Sequence, residues 1–262
     1  MHGTPTQLRG IVFDYGNTLI WLGPKRLSSR TDYADIVARP GAERMADLLN
    51  REGVLGNGGA SRAFQECFLA IREEDRLRAE QTGVEAAAVD SLAKTVASLG
   101  MAALSEKLLR RAIAENFGPE IEAVEPLPGA GETLEFLRGR GVQLALLSNC
   151  TDGPYVATVI RRLGWEGLFD PFVVSSDVGY RKPLAEAFRP VLDRWTMPPG
   201  EIAMIGDSLY HDVAGAERLG MNAVHFTAIA NPGDPEHREA IRPRWTASSH
   251  PELREVLGPH LA

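Results

Sequence analysis

Five short apolar runs constrain this chain more than any other feature: "GIVFD" (10–14), "VQLALLS" (142–148), "FVVSS" (172–176), "IAMIGD" (202–207) and "AVHF" (223–226). Each is mostly apolar with little polar alternation, the pattern of a strand covered on both faces. Amphipathic stretches separate the later runs. Residues 129–141 carry Leu134 and Leu137 and close on Gly141; residues 154–165 carry Val156, Val159, Ile160 and Leu163. Residues 184–195 and 212–220 continue the series. Strand alternating with helix predicts an α/β fold, a doubly wound, Rossmann-like parallel sheet with helices on both faces. In such sheets ligands bind beyond the carboxyl ends of the strands, where the strand order reverses.

Residues 21–122 have a different texture. They show no strand pattern but four helical ones, at about 41–52, 61–81, 85–99 and 104–116, with a "GVLGNGGAS" loop at 53–61. The expected organisation is a core of residues 1–20 and 123–262, interrupted by an α-helical inserted domain at 21–122. A length of 262 residues suits one large domain or two smaller ones. The net charge of −7 argues against nucleic acid, which is bound through basic patches. No apolar run approaches the roughly 20 residues that span a bilayer, and "MHGTPTQLRG" lacks the basic-then-apolar pattern of a secretory signal. The two cysteines, Cys67 and Cys150, form no disulfide framework and read as free thiols in a reducing cytoplasm.

Chemistry-bearing residues fall at the ends of four of the strands. Asp14 ends the first and Ser148 the second; Lys182, in "GYRKP", follows the third; Asp207 and Asp212, in "GDSLYHD", follow the fourth. Taken singly, each fits a turn or a helix cap. Taken together they make one site. Asp14 and Asp207 would share a divalent cation, with Asp212 beside it, and an all-oxygen donor set with waters suits magnesium. Asp14 would attack phosphorus. Ser148 would offer a hydroxyl and an amide to a phosphoryl oxygen, and Lys182 positive charge. Without a cation or Lys182, three close carboxylates would repel until one took up a proton.

These residues, in this order, resemble the four motifs of the haloacid dehalogenase-like hydrolase superfamily. The likeness spans residues 10–20 and about 124–256, and "GDSLYHDVAGAERLGM" is its most specific piece. It implies that Asp14 is the nucleophile, Ser148 and Lys182 the second and third motif residues, and Asp207 and Asp212 the acids of the fourth. It further implies a bound Mg2+ held by Asp14, the Gly16 carbonyl, Asp207 and Asp212. Asn17 and Thr18 lie in the turn after Asp14, where amides can face a phosphoryl group, and Asn149 belongs to the motif II loop; all three are expected to bind the substrate phosphate. The insert sits where the family's helical (C1-type) cap sits, and such caps close over the site. The implied activity is that of a phosphatase acting on a small phosphorylated metabolite.

One position departs from the phosphatase pattern. Phosphatases of the family usually carry Asp two residues after the nucleophile, as general acid and base; here it is Gly16. General acid–base help contributes about 10²–10⁴ in rate. Glycine keeps the backbone carbonyl that would bind the metal and drops the carboxylate. Two alternatives stay open: a weakly active or inactive phospho-ligand-binding protein on the same fold, or a C–P or C–halogen hydrolase. Dehalogenases of the superfamily have an aromatic residue at this position, need no metal and lack the Gly206–Asp207 pair. The phosphonoacetaldehyde-cleaving branch needs a cap lysine, for which the insert offers Lys25, Lys94 and Lys107. Other candidates are His211 as a substitute proton carrier and, in the insert, Arg26, Arg30, Tyr33 and Arg72 as substrate contacts, although charged helix faces are commonly just solvated.

Overall fold

The computed structural model describes residues 7–22, 33–56, 58–230 and 241–261. Two compact units emerge: Leu22–Val124 with Thr151–Val159, and Met1–Trp21 with Glu125–Cys150 and Ile160–Ala262. The short segment 151–159 was expected with the core; it packs instead with the helical unit.

The helical unit contains α1 (Arg39–Arg51), α2 (Gly59–Thr82), α3 (Ala88–Ser98) and α4 (Glu106–Ala123), with a π-helical turn, Ala34–Ala38, leading into α1. Met45, Leu49, Phe64, Phe68 and Leu92 form its buried interior. Gly41 lets α1 come close to α4, because a Cβ there would lie 2.1 Å from the Asn116 carbonyl oxygen. Ser105 caps α4, its side chain accepting from the Leu108 amide. The helix continues seven residues past the expected end at 116, straight through Pro119. A proline removes one helical hydrogen bond. Burial of Ile113, Phe117 and Pro119 itself offsets that loss.

Among the described residues one carboxylate is buried here. Asp75, on α2, is 5 % exposed. Its Oδ1 lies 2.7 Å from both Lys94 Nζ and Arg78 Nη2, and its Oδ2 accepts from Ser91 Oγ at 2.7 Å. Burial works against its charge, but the hydrogen bonds from Lys94 and Ser91 and the charges of Lys94 and Arg78 outweigh it and hold the carboxyl below its ordinary pKa.

The other unit is built on a six-stranded parallel sheet. Its strands are β1 (Gly10–Phe13), β4 (Gln143–Ser148), β5 (Phe172–Val174), β6 (Ile202–Gly206), β7 (Asn222–Phe226) and β8 (Trp245–Ala247), in the order β5-β4-β1-β6-β7-β8. Val12, Ala145, Leu147 and Met204 pack on Phe188, Val191 and Trp195 of one helical layer. Ile11, Phe13, Leu144 and Leu146, of opposite parity, are buried on the other face. The near-continuous apolar runs follow from this double coverage. The helices α5 (Ala130–Gly139), α6 (Gly153–Arg162, its first turns counted with the helical unit), α7 (Ala185–Arg194) and α8 (His250–Leu257) accompany the sheet.

Three details depart from the expected pattern. A two-residue antiparallel ladder joins β2 (Ile20–Trp21) to β3 (Glu125–Pro126) where the chain leaves and re-enters this unit; two residues are too few to show periodicity. Strand β5 stops at Val174, and Ser175 and Ser176 open a single helical turn, Ser175–Val178. The helix expected at 212–220 begins earlier, as a π-helical turn Leu209–Ala214 capped by Ser208. Among the described residues no helix is long and apolar enough to cross a membrane.

Candidate active site

Strand β1 lies at the middle of the sheet, with β4 on one side and β6 on the other. The chain builds outward from β1 through β4 to β5, then returns to lay β6 against the other edge of β1. That reversal is the switch point of the fold, and the carboxyl ends of β1, β4 and β6 open onto it. Asp14, Ser148 and Asp207 stand at those three ends. The Asp14 amide donates to the Ile205 carbonyl at 2.8 Å, so the β1–β6 ladder runs up to the carboxylate itself.

Four charged side chains converge. Carboxylate oxygens of Asp14, Asp207 and Asp212 all lie within 4.8 Å of one another, and all three residues are buried. Lys182, 1 % exposed, places Nζ 2.6 Å from Asp14 Oδ1, 2.7 Å from Asp212 Oδ1 and 2.8 Å from the Leu147 carbonyl. The ammonium donates hydrogen bonds to Asp14 and to the Leu147 carbonyl and forms an ion pair with Asp212, so the lysine is held from three sides. Its backbone is fixed as well: Asn149 Oδ1 accepts from the Lys182 amide at 2.8 Å, and Asn149 Nδ2 donates to the Lys182 carbonyl at 3.0 Å. Expected to face phosphate, the Asn149 side chain is spent on placing Lys182.

The turn after Asp14 is similarly tied. Asn17 takes a left-handed conformation, φ +53°, which Asn tolerates better than most residues. Its Nδ2 donates to Asp207 Oδ2 at 3.0 Å, and Thr18 Oγ1 lies 3.4 Å from Asp14 Oδ2. Gly16 is half-buried, and among the described residues no heavy atom lies within 4 Å of where its Cβ would be. Asp212 receives the Ser208 amide on Oδ2 at 3.0 Å. This carboxylate lies against Gly206: a Cβ at 206 would sit 2.2 Å from Asp212 Cγ and Oδ2, so only glycine fits there. Ser148 is buried at the end of β4, and no hydrogen bond of its hydroxyl is found among the described residues.

The charges do not balance. Among the described residues three carboxylates face one ammonium, a formal excess of two negative charges. Burial, and then the nearby Asp212, push the Asp14 carboxyl from 3.8 up to about 6 despite the opposing pull of Lys182. Burial, with Asp14 and Asp212, lifts Asp207 well above the ordinary carboxylate range, with Asn17 and Lys182 pulling the other way. Such a cluster needs protons or a cation. Its donors are all hard oxygens, the set that a divalent cation such as magnesium takes. The residues present therefore fit that ion, with Asp14, Asp207 and Asp212 as the carboxylate donors and the Gly16 carbonyl on the same turn.

Two histidines absent from the sequence reading also touch these loops. His225, on β7, has Nε2 3.2 Å from the Asp207 carbonyl oxygen, and His250, at the start of α8, has Nε2 2.9 Å from the Thr18 carbonyl oxygen. A polar ring in the otherwise apolar "AVHF" was the available signal for the first; nothing local marked the second.

The remaining candidates lie elsewhere. Lys94 is committed to Asp75, and Lys107 is exposed on α4. A lysine whose Nζ is committed to an ion pair with a buried carboxylate is unsuited to forming a Schiff base. Arg72 donates to Thr151 Oγ1 at 2.7 Å, and Tyr33 donates to Glu120 at 2.9 Å, within the helical unit. His211 is half-buried with Nδ1 3.1 Å from Ser208 Oγ, not simply solvated. Lys25, Arg26 and Arg30 lie outside the described residues.

Comparison with known proteins converges on one family. Residues 8–220 match the haloacid dehalogenase-like hydrolases. Pyrimidine 5'-nucleotidase YjjG of Escherichia coli is 34% identical over 142 residues, 53% of this chain and 60% of that protein. Phosphoserine phosphatase of Thermus thermophilus is 33% identical over 132 residues, 50% of this chain and 53% of that one. The matches thus span about half the length of these curated relatives. Among solved structures, a HAD phosphatase from Thermococcus onnurineus superposes with a TM-score of 0.58 at 22% identity, covering 97% of this chain and 100% of that chain. A 2-haloacid dehalogenase from Pseudomonas syringae gives 0.63 at 22% identity, covering 96% and 99%. At such identities the superpositions speak for the fold alone. With four motif loops on one switch point and most of its length matched to the family, the chain belongs to the haloacid dehalogenase-like hydrolases.

Proposed function

We propose that this protein is a magnesium-dependent phosphomonoesterase that works through a phosphoryl group carried on Asp14. The observation that carries the reading is the buried Asp14–Asp207–Asp212 cluster with Lys182 locked into it. A dehalogenase reading lacks support at position 16, where the aromatic residue expected of that branch is absent. Relatives named for a pyrimidine nucleotide and for phosphoserine support a small phosphate monoester as substrate. The helical unit is assigned the role of a cap.

In the first step a carboxylate oxygen of Asp14 forms a bond to phosphorus as the ester P–O bond breaks. In the second, a water oxygen attacks the same phosphorus, freeing Asp14 and inorganic phosphate. Lys182 supplies positive charge beside the attacking carboxylate, and the Ser148 hydroxyl is available to a phosphoryl oxygen. A cation bound by the carboxylates supplies further charge neutralisation to the phosphoryl group. With Gly16 in place of an acid, the leaving oxygen takes its proton from solvent and the attacking water gives its proton to solvent. Phenols and other low-pKa leaving groups are therefore the preferred probes.

Hydrolysis of an aryl phosphate should require magnesium, stop with chelator and fall at least about 10⁴-fold in Asp14→Asn. Activity indifferent to Asp14→Asn contradicts the proposal. The open space at the Cβ of residue 16 favours a gain for Gly16→Asp, about 10²-fold on alkyl esters. The missing acid also motivates a second reading, a phospho-ligand-binding protein with little turnover. A stable beryllium fluoride adduct on Asp14, with no hydrolysis across a broad panel of phosphate esters, would favour that reading.

A further inference from the structure

We infer that His250 is a positioning residue for the nucleophile loop, holding it from the far end of the chain. The inference rests on the reading of Asp14 as phosphoryl acceptor, but its geometry stands apart from that reading.

His250 is 1 % exposed and lies in the first turn of α8, just after the capping Ser249. Its Nε2 is 2.9 Å from the Thr18 carbonyl oxygen, a contact between residues 232 positions apart. A carbonyl only accepts, so the Nε2 carries the proton. The other ring nitrogen, Nδ1, is buried with no hydrogen-bond partner among the described residues. A donor at Nε2 and a bare acceptor at Nδ1 define one neutral tautomer, and a second proton would have no acceptor. Burial accordingly holds the ring's pKa down to about 4. The ring packs against Phe226 of β7, centroids 4.9 Å apart. The helix behind it is tied to α5: Thr133 Oγ1 lies 3.4 Å from the His250 carbonyl, and Arg254 Nη1 donates to Thr133 Oγ1 at 2.9 Å.

An unpaired buried nitrogen costs stability. A phenylalanine would fill the same volume beside Phe226 without that cost. What the imidazole adds is a donor to Thr18. Thr18 is fully buried; its hydroxyl reaches toward Asp14 Oδ2, and its neighbour Asn17 holds Asp207. The turn's other main-chain closures are the Leu19 and Ile20 amides on the Tyr15 carbonyl. His250 fixes the carbonyl that these leave over, and with it the direction in which Thr18 and Asn17 present their side chains to the two carboxylates.

The test compares wild type with His250→Phe, which keeps the packing and loses the donor, and His250→Gln, whose amide nitrogen can occupy the place of Nε2. With magnesium and an aryl phosphate, His250→Phe should lose about ten-fold in kcat with KM little changed, and His250→Gln should recover to within about three-fold of wild type. Its thermal midpoint is expected to equal or exceed that of the glutamine variant, so activity and stability run in opposite orders. Equal kcat in wild type and His250→Phe, or losses that simply track the thermal midpoints, overturns the inference. Nitrogen NMR of the wild-type ring reads the same claim without turnover: His250 should be neutral, protonated on Nε2, from pH 8 to about 5. A ring protonated on Nδ1, or one titrating near 6.5, overturns it as well. Should wild type hydrolyse no ester, the phosphatase reading fails on its own, while the NMR result still decides the hydrogen bond.

Discussion

Among the described residues, two places bury carboxylates and treat them in opposite ways. In the helical unit Asp75 meets two cations and a hydroxyl within 2.7 Å, and its charge is more than compensated. In the sheet unit Asp14, Asp207 and Asp212 share one lysine, and the first two are driven toward protonation. All four carboxylates are nearly closed to solvent, so low exposure alone does not mark a functional acid. The mark is a deficit of positive charge that the fold retains rather than resolves. Helix packing around Asp75 is served by a finished ion network. On the proposed function the carboxylate cluster is completed by a cation and then by a phosphoryl group.

Breaking the compensation where it is scarcest has the largest effect. Lys182→Met leaves three buried carboxylates with no cation among the described residues. Metal-free protein should lose about 3–5 kcal/mol of stability, and turnover should fall about 10³-fold with magnesium present. Calorimetry and aryl phosphate assays check the two halves. Gly206→Ala comes next. Its methyl would collide with the Asp212 carboxylate; activity should fall about 10²-fold and magnesium bind more weakly by titration calorimetry, with the far-ultraviolet circular dichroism spectrum unchanged. Asp75→Asn breaks the other side of the comparison. It should cost about 1–3 kcal/mol in denaturant unfolding and leave kcat untouched.

The smallest effect is one of sign. Asp14 has a raised folded pKa of about 6 against 3.8 when free, and Asp207 is raised too. Their contribution to stability is therefore complete below about 3.8 and is lost as pH rises through about 6. Asp75, with a lowered pKa, contributes above 3.8 and loses that contribution as pH falls through its depressed folded value. In chelator, the thermal midpoint should fall by a few degrees, about 2–6 °C, between pH 5 and pH 7.5. Magnesium should flatten that slope, and Asp14→Asn should remove much of it. Asp75→Asn should leave it intact. A slope unaffected by magnesium would place the excess charge somewhere other than at this cluster.

The sheet was legible because parallel strands buried on both faces have little choice but to be apolar, and each of the five runs noticed at the outset became a strand. The four motif loops were legible because the topology puts strand ends together, so residues far apart in sequence declare a common purpose by their order. What stayed hidden was of shorter range or longer reach. The ladder of Ile20–Trp21 on Glu125–Pro126 has too few residues to show a period. The fourth helical pattern extends only to about 116 in the sequence, yet the helix runs on through Pro119, whose burial offsets its missing hydrogen bond. In the sequence Asn149 reads as a ligand for phosphate from the loop it belongs to, yet both the oxygen and the nitrogen of its side-chain amide serve the Lys182 backbone. His250 acts across 232 residues on a backbone carbonyl, a partner with no side-chain identity to notice.

The central claim is that Asp14 takes up a phosphoryl group and that Gly16 leaves no acid to hasten its removal. Both halves can be read in one acid-quench measurement. Wild-type protein turning over an aryl phosphate with magnesium is denatured at steady state, and the peptide containing Asp14 is weighed by mass spectrometry. The account predicts that peptide carrying one phosphoryl group in a large fraction of the molecules, lost on treatment with hydroxylamine, and present at a much lower level in Gly16→Asp. Steady hydrolysis with a peptide unmodified at every time point, and no trapping on Asp14 under any quench, would contradict it.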